Sequence, residues 1–347
     1  MTPLSVLDLA LVGPDGDPQQ ALHDVARAAV VADSCGYRRF WVAEHHNAPK
    51  TAGSSPAVLM AHLAARTRRI RVGSGGVMLT NHAPLVVAEQ FAVLRSLYGD
   101  RIDLGVGRAT GGKDATTLLD RALRRGPQAR DEFPLMVDEL HGFLHGDLAE
   151  EHPLRTLVLS PHVPVPPGMY ILGVSENGAR VAAERGLPFV YGHHLGRSKC
   201  RPAAVDRYRS VFTPDAPGSR PYVMASVNVL CADTDEQAGE LAFEVAAQEV
   251  RRNHRETSRA PLPTIREHYL ARRTLDEAMV VHGGPATVAD ALERLARELR
   301  ADELMLVAYD HTGEGRCRTL RLLADHRAPA AGTGSSAPGM KYAASDR

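Results

Sequence analysis

Five short stretches of the chain combine the residue types that bind charged ligands and move protons. Histidine accepts or donates a proton near neutral pH. Arginine makes bidentate hydrogen bonds to phosphate oxygens, and glycine lets a ligand approach the backbone closely. Each stretch lies at the end of a short apolar run. They read AEHHN (43–47), GSGGVMLTNHAP (73–84), GVGRATGG (105–112), GVSENG (173–178) and GHHL (192–195). Their shared placement indicates one site built from several loops.

The phosphate-binding candidates are Arg108 and the turn at Ser175. From Gly107 the chain reads GRATGGKD, and Asp114 stands where a nucleotide-hydrolysing P-loop needs the Ser or Thr that binds magnesium. The motif also follows the fourth strand-like run, not the first. We expect Arg108 instead to face a phosphate held by the backbone N–H groups and the hydroxyl of the Ser175 turn, at a helix N-terminus. Gly178 keeps the first turn of that helix open.

The histidines do not show the spacing of metal ligands. Neighbouring side chains of an extended segment point to opposite sides, so His45 and His46 are not expected to face one centre. The chain has no H-x-H pair, and we find no carboxylate–histidine set at metal-ligand spacing. The sequence therefore predicts no metal site. The glycine-dense stretch GSGGVML fits a backbone approached by a flat ligand, and it fits a bulged barrel strand equally well.

Eight strand-like runs alternate with longer helical patterns, which predicts parallel βα units. The runs cover 4–12, 40–43, 70–79, 102–107, 170–174, 189–192, 222–231 and 303–309. Eight such units close a (β/α)8 TIM barrel, and the length suits a barrel with insertions. A doubly wound open sheet is the alternative. In a barrel the five stretches would meet at the C-terminal ends of the strands, where barrel enzymes have their active sites.

Residues 1–326 are expected to form a single barrel domain. Residues 253–284, rich in Arg and His, form a long insertion before the last βα unit, and long connections of this kind often cover a site. Residues 327–347 are small, polar and rich in Pro and Gly, which predicts a disordered tail.

The composition predicts a soluble cytoplasmic protein. The 41 basic and 41 acidic residues balance, which argues against a nucleic-acid or anionic-membrane partner. The apolar runs are too short to span a bilayer, and the N-terminus lacks the basic residues of a secretory signal. The four cysteines are far apart in the chain and form no C-x-x-C pair, as in reduced intracellular proteins.

Two helical segments, 56–67 and 84–97, are apolar around most of their circumference. A barrel helix needs only one buried stripe, so a second apolar face implies a second contact. We expect these two helices to form a homodimer interface.

Four longer motifs closely resemble the bacterial luciferase-like flavin monooxygenases, and most closely their actinobacterial branch. They are GYRRFWVAEHHN, RIRVGSGGVMLTNHAPLVVAEQF, RIDLGVGRATGG and GLPFVYGHH, within a resemblance that runs from Leu4 to about Leu323. The resemblance implies a TIM barrel with FMN at its C-terminal mouth. It implies an enzyme that uses FMNH2 and O2 to insert one oxygen atom into a small organic substrate. A separate NAD(P)H:flavin reductase would supply the FMNH2.

The same resemblance implies roles for individual residues. His45 matches the histidine that protects the oxygenated flavin and acts as acid or base, and Glu44 and His46 flank it in the catalytic group. Gly75–Gly76 matches the place where the family has a non-prolyl cis peptide against the flavin ring. The phosphate-binding positions of the family are matched by Arg108, Val174, Ser175 and Gly178.

Departures from the family pattern leave alternatives open. The chain reads LGVSENG where close relatives read LGSS followed by a small polar residue, and GRATGG where they read GRAPG, so the phosphate seat loses one hydroxyl. The alternatives are a deazaflavin-dependent oxidoreductase of the same fold, with Arg272 and Arg273 binding the acidic tail of that cofactor, and a non-catalytic flavin-binding protein. The substrate class implied by this branch is a natural product such as an aromatic polyketide.

Overall fold

A closed barrel of eight parallel strands forms the centre of the molecule. The computed structural model describes residues 1–13, 16–108, 116–126, 128, 131–214, 219–257 and 262–328. The strands run in the order β10-β1-β2-β3-β5-β6-β7-β8, and pairing between β8 and β10 closes the ring. This arrangement confirms the predicted (β/α)8 TIM barrel and excludes the open sheet.

The strands agree closely with the apolar runs of the sequence. They are β1 (Leu4–Asp8), β2 (Arg39–Val42), β3 (Arg71–Ser74), β4 (Val77–Met78), β5 (Ile102–Gly107), β6 (Gly168–Gly173), β7 (Phe189–Tyr191), β8 (Val223–Cys231), β9 (Val281–Gly283) and β10 (Glu303–Ala308). The two-residue β4 pairs only with β5, and β9 adds to the C-terminal end of β8. The predicted run 70–79 is therefore two short strands separated by the GG pair.

Helices surround the barrel. They are α1 (Pro18–Ser34), α2 (Pro56–Arg66), α3 (Pro84–Tyr98), α4 (Thr116–Ala122), α5 (Phe133–His145), α6 (Glu176–Glu184), α7 (Ala203–Ser210), α8 (Asp235–Thr257), α9 (Thr264–Ala278), α10 (Pro285–Glu298) and α11 (Gly313–Arg327). Proline in the first turn starts several of them, because it has no N–H to leave unpaired there. No helix in these ranges is long and apolar enough to cross a membrane.

The insertion 253–284 and the C-terminal part of the chain contain secondary structure that the sequence did not indicate. Residues 253–284 hold the end of α8, all of α9 and all of β9, and α9 packs on α8. The sequence did not indicate α11, whose few apolar residues are interrupted by arginines. Of the predicted tail, residues 329–347 lie outside the described part of the chain.

Ion pairs fill the N-terminal end of the barrel interior. The Arg39 guanidinium lies 2.7 Å from an Asp103 carboxylate oxygen and 3.0 Å from a Glu303 oxygen. Arg71 donates to Asp103 at 2.8 Å, and the Tyr222 hydroxyl donates to Glu303 at 2.7 Å. Because each buried carboxylate has more than one donor, burial leaves neither charge without a partner.

A tryptophan occupies the next layer of the interior. Trp41 is fully buried, and its indole N–H donates to Asp103 at 3.1 Å. Around it the neighbouring strands carry Gly73, Gly75 and Gly105, where an added Cβ would collide with the Trp41 ring, with Leu7 or with the Ser74 carbonyl oxygen. The indole thus occupies space that side chains from β3 and β5 would otherwise fill.

Helices α2 and α3 leave part of their apolar surface uncovered. Val58 and Leu97 are 71% and 65% exposed, and Val86 and Val93 are also exposed. The two helices pack against each other. The homodimer interface expected on them stays a prediction.

Replacing Gly105 with Ala is expected to destabilise the barrel by about 1–3 kcal/mol, because the new methyl group would overlap the Ser74 carbonyl oxygen. Chemical denaturation of both proteins measures the change. Gly239→Ala is the matched control, since nothing lies within 4 Å of its added Cβ, and a helical Gly→Ala change is expected to stabilise by up to about 1 kcal/mol. Equal stability of Gly105→Ala and the parent would contradict this packing argument.

Candidate active site

The C-terminal mouth of the barrel collects the residues that the sequence singled out. Strand β2 leads into Glu44, His45 and His46, β5 ends at Gly107 next to Arg108, and β6 leads into the turn at Ser175. The backbone N–H of His45 donates to the Gly53 carbonyl at 2.8 Å, so the loop after β2 folds back on itself. Parallel topology brings these strand ends to one face.

The Glu44 carboxylate connects two of the loops at the mouth. It is buried and accepts hydrogen bonds from His46 Nε2 at 2.6 Å, His82 Nε2 at 2.8 Å and the backbone N–H of Met78 at 2.9 Å. Burial opposes its charge, but the bonds from His82, Met78 and His46 outweigh that effect and hold the pKa below its ordinary value. The loop after β2 is therefore joined to β4 and the turn that follows it.

The spacing of the histidines in the sequence did not indicate this cluster. Glu44 and His46 are two residues apart on an extended segment, so they face the same side, and His82 joins them from a distant loop. Within the described ranges these three residues form a set whose ligand atoms, all within 4.8 Å of one another, could hold a metal ion. Two ligand atoms of a tetrahedral zinc site, each about 2.1 Å from the ion, lie about 3.4 Å apart. The observed 2.6 and 2.8 Å are hydrogen-bond separations.

The ring nitrogen Nδ1 of His45 has no hydrogen bond within the described structure, whereas His46 and His82 each bind the Glu44 carboxylate through Nε2. That unpaired nitrogen of His45 is buried. Burial lowers the pKa of His45, although the nearby Glu44 charge acts in the opposite direction. At neutral pH the ring is therefore uncharged, with one nitrogen that a bound molecule can satisfy.

The predicted phosphate seat consists of an exposed arginine and a helix N-terminus. The Arg108 side chain is exposed directly after β5. Ser175 is the N-cap of α6, and its hydroxyl oxygen accepts the backbone N–H of Gly178 at 3.4 Å. The hydroxyl proton and the other N–H groups of the first turn remain available to an anion. Residues 109–115, including Asp114 of the rejected P-loop motif, lie outside the described part of the chain.

The Gly75–Gly76 peptide bond is cis, at the position that the resemblance implied. An added Cβ on Gly76 would lie 2.8 Å from the Gly105 carbonyl oxygen, and one on Gly75 would lie 2.5 Å from a Leu7 methyl group. The backbone contact at Gly76 disfavours a side chain there before any ligand is considered, whereas the Leu7 methyl group next to Gly75 can move. Their contact with a cofactor stays a prediction.

Two further polar residues of the mouth were not singled out from the sequence. His194 follows β7, and its Nδ1 lies 2.6 Å from the Ser226 hydroxyl of β8. The stretch GHHL had marked the region without distinguishing its two histidines. Ser226 lies inside an apolar strand with no local signal, and the pairing of β8 with β7 places it beside the turn that carries His194.

Comparisons with known proteins agree with this arrangement. The family model described as luciferase-like monooxygenase matches residues 2–303. An N-acetyl-S-alkylcysteine monooxygenase of Bacillus subtilis is 32% identical over 334 residues, which cover 94% of this chain and 98% of the relative. The crystal structure of apo-MsnO8 superposes with a TM-score of 0.78 at 34% identity, covering 94% of this chain and 98% of that one.

A second similar structure contains a flavin. It is the oxygenating constituent of 3,6-diketocamphane monooxygenase of Pseudomonas putida in complex with FMN, with a TM-score of 0.70 at 20% identity, covering 95% of this chain and 99% of that one. At this identity the similarity shows the shared fold.

Replacing Glu44 with Gln is expected to lower the free energy of unfolding at pH 7 by about 1–3 kcal/mol, because charged hydrogen bonds to a buried group are lost. The carboxylate contributes fully above its ordinary pKa of 4.5, and this contribution disappears as the pH falls through the lower pKa of the folded state. The difference in free energy of unfolding between the parent and Glu44→Gln should therefore shrink below pH 4.5.

Urea denaturation between pH 7 and the acid limit of folding measures this difference. Glu150→Gln, which changes an exposed carboxylate, is the control and should leave stability within about 0.5 kcal/mol of the parent. A Glu44→Gln protein as stable as the parent at pH 7 would show that the carboxylate does not join the loops.

Proposed function

The chain belongs to the luciferase-like monooxygenase family, and on that basis we propose that it is a two-component flavin monooxygenase whose cofactor is reduced FMN. When bound, reduced FMN supplies two electrons and activates O2, so that one oxygen atom enters an organic substrate and the other leaves as water. A separate NAD(P)H:flavin reductase provides the reduced cofactor. The relatives are named as monooxygenases, and one similar structure holds FMN.

One observation carries the proposal: His45 presents a buried nitrogen without a partner at the mouth. A buried polar atom without a hydrogen bond costs free energy, so a bound molecule that pairs with this nitrogen would be stabilised. The lowered pKa keeps the ring neutral, and a neutral imidazole can take up or return a proton next to the cofactor. His45 is therefore proposed as the catalytic acid or base.

The remaining site residues are proposed to hold and surround the cofactor. Arg108 and the Ser175 turn would bind the FMN phosphate, with backbone N–H groups near Gly178 pointing at it. Val174, which precedes the N-cap, would pack beside the same group. Glu44 fixes the position of the loop that carries His45 and His46.

A deazaflavin cofactor has less support among the described residues. The arginines suggested for its acidic tail, Arg272 and Arg273, are exposed on α9. Arg272 donates to His268 of the same helix and lines a groove between α8 and α9 together with Phe243. A non-catalytic flavin-binding role remains an outcome of the experiment below.

The substrate is proposed to be a small organic molecule. That the substrate is a natural product such as an aromatic polyketide stays a prediction from the sequence. A role in antibiotic biosynthesis is a prediction on the same basis. The relative named for N-acetyl-S-alkylcysteine makes a thioether a second class to screen. The 253–284 insertion is proposed to cover the mouth during the reaction.

The test of this function is reoxidation of reduced FMN by O2 in the presence of the protein. Wild-type protein is expected to delay the return of oxidised flavin absorbance relative to buffer, because the mouth excludes water from the bound cofactor. His45→Ala should shorten the delay at least about tenfold, which is the scale of a lost proton-transfer group. Reduced deazaflavin in place of FMN is expected to show no protein-dependent change.

Three outcomes of this test would overturn parts of the proposal. Turnover of a substrate with reduced deazaflavin but not with reduced FMN would show that the cofactor is a deazaflavin. Binding of FMN with no substrate-dependent oxygen consumption, across thioether and aromatic libraries, would indicate a flavin-binding protein. A His45→Ala protein that keeps the full delay and coupled turnover would remove His45 from the catalytic role.

We also propose a homodimer through α2 and α3, supported by the exposed apolar side chains on both helices. The double variant Val58→Glu/Leu97→Glu is expected to be monomeric in light scattering coupled to gel filtration, because two charges would be buried in the interface. Ile265→Glu, which changes an exposed apolar residue on α9, is the control and should stay dimeric. A monomeric parent protein would refute the interface.

A further inference from the structure

The buried carboxylates of the described chain differ in the groups that pair with them. Four of them bind an arginine side chain: Asp8 with Arg316, Asp24 with Arg27, and Asp103 and Glu303 with Arg39. Glu44 is the fifth, and among the described residues its side-chain partners are the imidazoles of His46 and His82. An arginine carries a permanent positive charge, whereas an imidazole can be neutral and can bind a metal ion. Glu44 therefore retains a negative charge that a metal cation can neutralise.

Both imidazoles converge on the same carboxylate oxygen. His46 Nε2 lies 2.6 Å and His82 Nε2 lies 2.8 Å from Glu44 Oε1, and ligand atoms of the three residues all lie within 4.8 Å of one another. The other oxygen, Oε2, accepts the backbone N–H of Met78 at 2.9 Å. One carboxylate oxygen and two imidazole nitrogens are a donor set that zinc takes in open sites, where water fills the fourth position.

Metal binding at this cluster would exchange hydrogen bonds for coordinate bonds. An ionised carboxylate can only accept, so each Nε2 carries the proton of its hydrogen bond to Glu44. To bind a metal, each Nε2 must give up this proton, and in a neutral ring exchange with water places a proton on Nδ1 instead. Two N–H···O bonds break, three metal–ligand bonds form, and no group is oxidised or reduced.

The cluster can open enough to admit an ion. Ligand atoms around a tetrahedral zinc lie about 3.4 Å apart, so the two oxygen–nitrogen separations must widen by roughly 0.6–0.8 Å. The side chains of His46 and His82 are 19% and 31% exposed, so their rings can move toward solvent. The Glu44 side chain is fully buried and is held by the Met78 N–H. The carboxylate is thus the fixed ligand and the imidazoles are the adjustable ones.

We propose that Glu44, His46 and His82 form a binding site for a divalent transition-metal ion, and that zinc is the ion that fits this donor set. The site is independent of the proposed FMN site, since none of its three residues is proposed to contact FMN. Because His45 lies between Glu44 and His46 in the chain, a bound ion would also hold the segment that carries the proposed catalytic residue. The protein is expected to bind zinc without any flavin.

The test measures zinc binding to the flavin-free protein at pH 7 by competition with a chromophoric chelator. The parent is expected to take zinc from the chelator. His46→Gln and His82→Gln should bind zinc at least about tenfold more weakly, because even residues that only hydrogen-bond to a metal ligand contribute this much to affinity. Glutamine keeps an N–H donor for the Glu44 carboxylate, so these variants test the loss of the metal ligand with less disturbance of the loops.

The matched control is the double variant His141→Gln/His145→Gln. These histidines lie one turn apart on α5 with their ring centroids 3.9 Å apart, so they offer zinc a second place on the protein surface. The double variant is expected to bind zinc like the parent. Loss of zinc binding in this variant, with full binding by His82→Gln, would place the ion on α5 and overturn the proposal.

Cobalt tests the identity of the ligands in the parent protein, with no variant that must fold. Co²⁺ held by nitrogen and oxygen atoms in a four-coordinate site should show visible d–d absorption and no thiolate charge-transfer band in the near ultraviolet. A thiolate band would assign the ion to a cysteine and overturn the proposal. A parent protein that takes no zinc from the chelator would also overturn it, and neither result bears on FMN binding.

Discussion

The position of Trp41 inside the barrel is the constraint on which the rest of the site depends. Its ring is fully buried, and its N–H is held by Asp103. A Cβ at position 73 would overlap the indole, and one at position 105 would meet the Ser74 carbonyl oxygen and the indole edge, so packing around Trp41 favours glycine on β3 and β5. Strand β2 ends one residue after Trp41, and Glu44 and His45 follow in the next residues. Substitutions that move the Trp41 ring are expected to displace the loop that carries Glu44 and His45, although they do not change that loop.

Charge is arranged differently at the two ends of the barrel. At the N-terminal end, Arg39, Asp103 and Glu303 form a paired network in which each charge has an opposite partner. Toward the mouth the interior holds Glu44, whose charge is satisfied by imidazole and backbone donors. The ion pairs hold the N-terminal end of the barrel together, because separating one partner would leave a buried charge without a partner. The open end keeps groups that can exchange protons.

The mouth combines a fixed frame with neutral imidazoles. Glu44 joins the loops of β2 and β4, and Ser226 and Asn228 hold the turn after β7. Within that frame His45 and His194 have lowered pKa values because burial disfavours their charged forms. Uncharged rings suit the flat, partly apolar cofactor proposed for this site, since its binding would require no desolvation of a cation. The exposed Arg108 would supply the complementary charge for the proposed phosphate.

The amino-acid sequence by itself determined the alternating βα units, because strand and helix periodicities are local, and it favoured the barrel; the pairing of β8 with β10 then excluded the open sheet. It also located the mouth loops, the GG pair and Arg108, since each lies next to a strand end. It did not reveal the cluster of Glu44, His46 and His82, although the E-x-H spacing was readable, because His82 lies 36 residues further along the chain than His46. Helix α11 was missed because few apolar residues mark its buried side. Only the tertiary structure decided that Ser226 contacts the His194 ring and that Gly73 lies against Trp41, because these contacts depend on the register of neighbouring strands and on which face each side chain takes.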